Sequence, residues 1–116
     1  MLIEFCTSKI NNGRITEAEL FYEGSITLDE NIIKAANIIP GQKVTVLNLH
    51  NGNRFETYAI TGKAGSGTIC LNGPAARLGL VGDQVTILTY ALMEPQEAKQ
   101  TQLKLVKLDE NNQVKN

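Results

Sequence analysis

The stretch Tyr22-Glu23-Gly24-Ser25-Ile26-Thr27-Leu28-Asp29 sets a glycine carbonyl directly before a serine hydroxyl. If the chain does chemistry, the Gly24–Ser25 bond is where it starts, because a chain can break its own backbone at such a pair. Gly-Ser is also among the commonest loop dipeptides, so the pair needs support from other residues. The strand-like run Arg54-Phe55-Glu56-Thr57-Tyr58 is the next candidate. With a period of two, Arg54, Glu56 and Tyr58 share one face, while Phe55, Thr57 and Ala59 share the other. A guanidinium and a phenol on one surface can bind a carboxylate and deliver a proton; the plainer reading is a solvent-facing strand with Arg54 paired to Glu56. Lys9 is a further cation, and a lysine at such a position is more often simply on the surface.

Other segments invite a function and fail on chemistry. Gly62-Lys63-Ala64-Gly65-Ser66-Gly67-Thr68 looks like a phosphate loop, but a Walker loop needs its Lys-Ser/Thr after the last glycine, opening a long helix. Here the lysine comes first and a strand follows, so the segment reads as a loop. His50 precedes the Asn51-Gly52 turn with no Ser or Cys partner at a recognisable spacing, and reads as a solvated turn histidine. Cys6 and Cys70 are far apart, outside any Cys-x-x-Cys spacing, and read as buried reduced thiols. One histidine and no cysteine pair argue against a metal site.

The frame that must position the candidates is small. At 116 residues the chain reads as one domain, 1–116, able to bury a single core. Eleven basic residues oppose twelve acidic ones for a net charge of -1, so there is no field to attract nucleic acid or an anionic membrane. Aromatic content of 5% without tryptophan argues against a base-stacking platform. No apolar run approaches the ~20 residues of a membrane span. Met1-Leu2-Ile3-Glu4-Phe5 lacks the features of a signal peptide, which makes the cytoplasm the expected location.

In chain order, Met1 to Ile10 reads as a strand, Asn11-Asn12-Gly13 as a hairpin turn, and Arg14 to Thr16 as a short returning strand. Glu17 to Tyr22 alternates as an edge strand. Thr27-Leu28-Asp29-Glu30 reads as a capping box for a helix from about Asp29 to Ala36. Lys43 to Leu49 and Asn53 to Ile60 form a hairpin about Asn51-Gly52, the clearest such signal in the chain. Thr68 to Leu71 is a strand, Asn72-Gly73-Pro74 a turn, and Pro74 opens a helical turn through Arg77. Gln84 to Leu92 is apolar at nearly every position and reads as central. Pro95 to Gln100 is a helical turn, Leu103 to Leu108 a last strand, and Asp109 to Asn116 a polar tail. Many short strands with scraps of helix predict a mainly β barrel.

Together these pieces resemble one family, the bacterial pyruvoyl-dependent aspartate 1-decarboxylases. The matching stretches are Ser8-Lys9-Ile10, Tyr22 to Ile26, Asn51 to Tyr58, Asn72-Gly73-Pro74-Ala75-Ala76 and Val81-Gly82-Asp83, in the family's order and separations up to about Met93. The resemblance implies a double-psi β-barrel with short helices, assembled as a homotetramer, that makes β-alanine from L-aspartate for pantothenate synthesis. It implies an inactive precursor cut between Gly24 and Ser25 into a 1–24 β-chain and a 25–116 α-chain. Ser25 Oγ would attack the unhindered Gly24 carbonyl, where glycine also permits a strained backbone. Ser25 then becomes a covalently bound pyruvoyl group, whose ketone would take the aspartate amine as a Schiff base.

By the same resemblance, Thr57 assists the cut and contacts substrate, and Tyr58 donates the proton that replaces the lost carboxylate. Arg54 and Lys9 bind substrate charge, and Asn72, Gly73, Pro74 and Ala75 line the site. Because Thr57 and Tyr58 face opposite ways in an ideal strand, a local bulge or two different sets of neighbours is expected. One departure is plain: family members usually carry His-Arg after the lysine, whereas this chain has Asn11-Asn12, and asparagine cannot titrate near neutrality. The competing expectation is an unprocessed barrel of the same fold that serves as a binding module.

Overall fold

The computed structural model describes residues 1–115. Eight strands, β1 (Ile3–Arg14), β2 (Glu17–Glu19), β3 (Ser25–Asp29), β4 (Lys43–Asn48), β5 (Arg54–Gly62), β6 (Ile69–Asn72), β7 (Gln84–Met93) and β8 (Lys104–Lys107), form one mixed sheet. Its order is β2-β6-β3-β5-β4-β7-β1-β8. Two short α-helices, α1 (Glu30–Ala35) and α2 (Pro95–Gln100), and a 3₁₀ turn at Gly73–Arg77 complete the fold. Three strand pairs are parallel, β1 with β8, β2 with β6 and β3 with β5, and the rest are antiparallel. The sheet wraps on itself past the end of β1: Ile15 N–H bonds the Asp83 carbonyl and Thr16 N–H the Ile69 carbonyl. This mainly β, barrel-like architecture agrees with the sequence reading.

Alternation along the strands builds the core. Ile26 and Leu28 of β3, Val44 and Val46 of β4, Ile69 and Leu71 of β6, and Val85 and Ile87 of β7 all point inward and are buried. Each such side chain contributes roughly 1.5–3 kcal/mol of burial. β7 lies between β4 and β1, the central place that its apolar run predicts. The Asn51-Gly52 turn joins β4 and β5 as expected, with Gly52 at φ 74. No helix among the described residues is long and apolar enough to cross a membrane.

Four local expectations are corrected. Asn11-Asn12-Gly13 is no hairpin turn: β1 runs through it, and its pairing with β7 shifts register between Ile10 and Gly13. Asn12 takes φ 67 and absorbs the irregularity as a bulge. Arg14 therefore ends β1 rather than opening a returning strand, and β2 keeps only three of the residues from Glu17 to Tyr22. Thr27 does not cap α1, because it lies inside β3; Asp29 is the N-cap, accepting from Asn31 N–H at 2.8 Å. The tail is not merely polar: Asn112 is buried, its Oδ1 accepts from Arg14 N–H at 2.9 Å, and its Nδ2 donates to the Arg14 and Gly67 carbonyls, both at 2.8 Å.

Candidate active site

Ser25 opens β3, where it pairs with Asn72 of β6, and from the next residue, Ile26, the strand is also paired with β5. Burial changes across one peptide bond: Gly24 is exposed, whereas Ser25 is only 1% exposed. Ser25 Oγ donates to the Glu23 carbonyl at 3.0 Å and accepts from Asn72 Nδ2, also at 3.0 Å. Asn72 is the residue directly opposite Ser25 on β6, and at 3% exposure it is shut off from solvent. Its second Nδ2 proton reaches Thr27 Oγ1 at 2.9 Å, and its Oδ1 accepts from Cys70 Sγ at 3.2 Å. The hydroxyl beside the candidate bond is thus fixed by named donors and acceptors.

Gly73 carries a constraint that the sequence reading assigned elsewhere. It has φ +67, and a Cβ built on it would lie 2.8 Å from Gly24 Cα, 2.8 Å from the Tyr22 carbonyl oxygen and 2.9 Å from Gly24 N. Gly24, by contrast, lies outside the left-handed region, and a Cβ there would meet only Pro74 Cδ at an ordinary 3.5 Å. The glycine demanded by backbone conformation is therefore Gly73, not Gly24. Asn72-Gly73-Pro74 was legible as a turn, but its close approach to Gly24 depends on a contact between segments nearly fifty residues apart.

Thr57 and Tyr58 sit on the strand beside Ser25. The parallel ladder begins with Ile26 opposite Ala59, so Thr57 and Tyr58 are the two residues of β5 that precede the start of the pairing, as Gly24 and Ser25 precede it on the other side. Arg54, Glu56 and Tyr58 are exposed while Phe55 and Thr57 are half-buried, as alternation requires. The β4–β5 register runs from Lys43–Tyr58 to Leu47–Arg54 without a shift, so there is no bulge to turn Thr57 and Tyr58 the same way. Thr57 and Tyr58 line a shallow, open cleft with Lys43 and Glu56. Pro74 is exposed and Ala75 buried within the 3₁₀ turn that follows Asn72.

Arg54 and Lys9 stand apart from this cluster. Glu56 pairs with Lys43 at 3.2 Å instead of Arg54, which has no ion pair among the described residues. Arg54 lines an open groove of about 570 Å³ with Glu4, Thr45, Phe55, Glu56 and Tyr90, and that groove does not reach Ser25. Lys9 pairs with Leu88 on β7, and β1 is four strands from β3 in the sheet order. Asn11, the departure from the family pattern, is half-buried in the ladder between β1 and β8, opposite Lys107.

The remaining suspects have structural roles. The glycine loop grips a carboxylate of its own chain: Gly65 N–H and Gly67 N–H donate to the buried Asp29 side chain at 3.0 and 2.8 Å. His50 is exposed in its turn. Cys6 and Cys70 are free thiols, half-buried and buried respectively. Burial pushes the Cys70 thiol up, with Glu17 and Glu19 adding to the effect, and burial likewise raises Cys6 against the pull of Lys9. No group of three His, Cys, Asp or Glu among the described residues could hold a metal ion.

Comparison with known proteins agrees with this arrangement. The family model described as aspartate decarboxylase matches residues 1–115. An aspartate 1-decarboxylase of Caldicellulosiruptor saccharolyticus is 54% identical over 114 residues, covering 98% of this chain and 89% of the relative. The one from Thermoanaerobacter pseudethanolicus is 53% identical over 109 residues, covering 94% and 93%. That of Leptospira biflexa is 51% identical over 116 residues, covering 99% and 98%. A match across almost the full length, on a mainly β barrel with a buried, hydrogen-bonded Ser25, places this chain in the aspartate decarboxylase family.

Proposed function

We propose that the chain is made as a precursor, cuts itself between Gly24 and Ser25, and then removes the C1 carboxylate of L-aspartate to give β-alanine and carbon dioxide. The family membership supplies the reaction, and loss of C1 from aspartate leaves 3-aminopropanoate, which is β-alanine. The single observation that carries the self-cleavage is the fixed Ser25 hydroxyl, held by Asn72 Nδ2 and the Glu23 carbonyl beside an exposed glycine. The two products are the segments 1–24 and 25–116.

The residues fit a pyruvoyl group made in place. Ser25 provides its carbon atoms, and buried Asn72 provides a donor at the oxygen that must leave. Such a group supplies an electrophilic ketone that takes the substrate amine and withdraws the electron pair left by the departing carboxylate. Tyr58, on the neighbouring strand one residue before the start of its pairing with β3, delivers the proton to the substrate carbon. Thr57, beside Tyr58 on that strand, stabilises the oxygen on which charge develops during the cut. Small residues at Gly73 and Ala75, with Pro74, let main chain approach the substrate.

Arg54 binds the carboxylate that aspartate keeps, and Lys9 adds charge. The groove lined by Arg54 does not include Ser25, which supports a site completed by a neighbouring copy, within a homotetramer. Exposed Leu2, Ile3, Tyr90, Leu92 and Leu103 provide apolar surface for such contacts. The enzyme acts in the cytoplasm. Intact-mass measurement tests the reading: the purified protein yields two fragments, the larger blocked at its N-terminus, and forms β-alanine. Ser25→Ala stays whole and inactive; β-alanine made by that variant would overturn the pyruvoyl mechanism, and an unprocessed parent chain would leave a binding module.

A further inference from the structure

The polar side chains around Ser25 extend one rung beyond it. Thr27 lies directly opposite Cys70 across β3 and β6, just as Ser25 lies opposite Asn72. All four side chains share the face of the sheet turned away from Ile26, Leu28 and Leu71, and they form one connected set. Cys70 Sγ donates to Asn72 Oδ1 at 3.2 Å, while Asn72 Nδ2 gives one proton to Ser25 Oγ at 3.0 Å and the other to Thr27 Oγ1 at 2.9 Å. No buried side-chain nitrogen or oxygen among the described residues lacks a partner.

We propose that Thr27 and Cys70 are positioning residues for self-cleavage, clamping the Asn72 amide in the one orientation that presents its N–H to Ser25 Oγ. The inference rests on the self-cleavage reading given above and deepens it.

An asparagine amide has two faces of nearly equal shape, and only its partners decide which end points where. Reversed, Asn72 would turn Oδ1 toward Ser25 and Thr27 and its NH₂ toward the Cys70 sulfur. Sulfur is a weak acceptor, so a buried N–H would be left without a good partner. Burial and the nearby Glu17 and Glu19 keep the proton on Cys70, which preserves it as the donor. Thr27 adds the second restraint by accepting the Nδ2 proton that Ser25 does not use, which holds the amide in place; the choice of end rests on Cys70, because a threonine hydroxyl donates as readily as it accepts.

The orientation matters at a particular step. In the first step Ser25 Oγ bonds to the Gly24 carbonyl carbon, the Gly24–Ser25 C–N bond breaks, and the Oγ proton ends on the Ser25 nitrogen, leaving an ester and an amine. In the second, the Ser25 Cα proton passes to a base and the Cβ–Oγ bond breaks. Its electron pair goes to Oγ, which leaves as part of the Gly24 carboxylate. Water then displaces the nitrogen as ammonia to complete the ketone. Oγ loses its proton in the first step but gains full negative character only in the second. A donor fixed on Oγ therefore favours the elimination most.

The test uses the full-length protein with Cys70→Ala, Cys70→Ser and Thr27→Val, the last nearly isosteric. Intact mass follows formation of the blocked 25–116 fragment. Hydroxylamine, which cleaves esters, reports the ester through release of 1–24 as a hydroxamate and 25–116 with a free serine amine. Cys70→Ala and Thr27→Val are expected to slow the blocked fragment about tenfold, the effect of losing one hydrogen bond at a reacting oxygen. The hydroxylamine-releasable fraction rises in both, and Cys70→Ser, which keeps a donor, returns both readouts toward the parent.

Parent-like rates and ester fractions in both variants, in a protein whose parent chain does cleave, overturn the clamp and leave self-cleavage standing. A parent chain that never cleaves overturns self-cleavage itself. Slow Cys70→Ser equal to Cys70→Ala overturns the donor assignment. If Cys70→Ala loses its folded circular dichroism, Thr27→Val decides alone.

Discussion

Gly73 faces Gly24 with no room for a side chain: its Cβ would lie 2.8 Å from Gly24 Cα, at a backbone φ of +67. The turn after β6 thereby sets where the Gly24–Ser25 bond lies. Gly73→Ala should push that bond out of place and slow self-cleavage by about a hundredfold, as a misplacement near 1 Å does elsewhere. Gly24→Ala should leave the ground-state geometry intact, since its Cβ meets only Pro74. Time courses of fragment formation by intact mass compare the two. Equal rates for Gly73→Ala and the parent would remove the constraint.

Arg54 is exposed, and no acidic side chain among the described residues neutralises it, because Glu56 is engaged by Lys43. Arg54→Ala should thus leave self-cleavage and thermal stability unchanged. It should lower kcat/KM for aspartate by about a hundredfold, the cost of removing a charged carboxylate partner. Steady-state β-alanine production on fully cut protein measures this, and unchanged kinetics would remove the carboxylate grip.

Asp29 caps α1 and also receives Gly65 and Gly67 N–H, so one buried carboxylate ties a helix start to a glycine loop. Asp29→Ala leaves three donors without their acceptor and should destabilise the fold by about 2–4 kcal/mol. Urea unfolding at matched conditions reads the loss. A change below about 0.5 kcal/mol, the range of an ordinary surface substitution, would show that water replaces the carboxylate without penalty.

Asp83 accepts from Asn48 Nδ2 at 2.9 Å and Leu80 N–H at 3.0 Å. These bonds, the Asn48 side chain first, hold its carboxyl below the usual carboxylate range, with a smaller contribution from His50. A depressed folded-state value means that its contribution is complete above the ordinary carboxylate range and fades as pH falls through the lowered value. Asp83→Asn should therefore melt below the parent at neutral pH, with the gap narrowing as the medium is acidified. Melting curves from neutral to strongly acidic pH decide it, and a pH-independent gap would assign the effect to packing.

Much of the barrel could be read from local pattern, and the exceptions share a cause. β7 declared itself through unbroken apolar character, and the β4–β5 hairpin through Asn51-Gly52. Asn11-Asn12-Gly13 carries the same turn chemistry as a hairpin, yet here the extra residue is absorbed as a bulge because β7 pairs on both sides of it. Asn112 looks like any tail asparagine until Arg14 and Gly67 come within reach. Ser25, Asn72 and Gly73 were legible as residue types in a family order. That Thr27 and Cys70 frame Asn72 was not, because it depends on the β3–β6 register, which no short stretch encodes.

β1 runs between β7 and β8, and β2 lies against β6, so the first 24 residues are woven through the sheet rather than appended to it. If the proposed cut severs Gly24 from Ser25, it should release nothing and instead change the order of the folding reaction. The whole chain refolds as a unimolecular process at a rate independent of dilution. The severed pair must find each other, so recovery from denaturant becomes second order and fails in dilute solution. A molecule cut there would keep its shape only by never letting go of a strand it could not easily recapture.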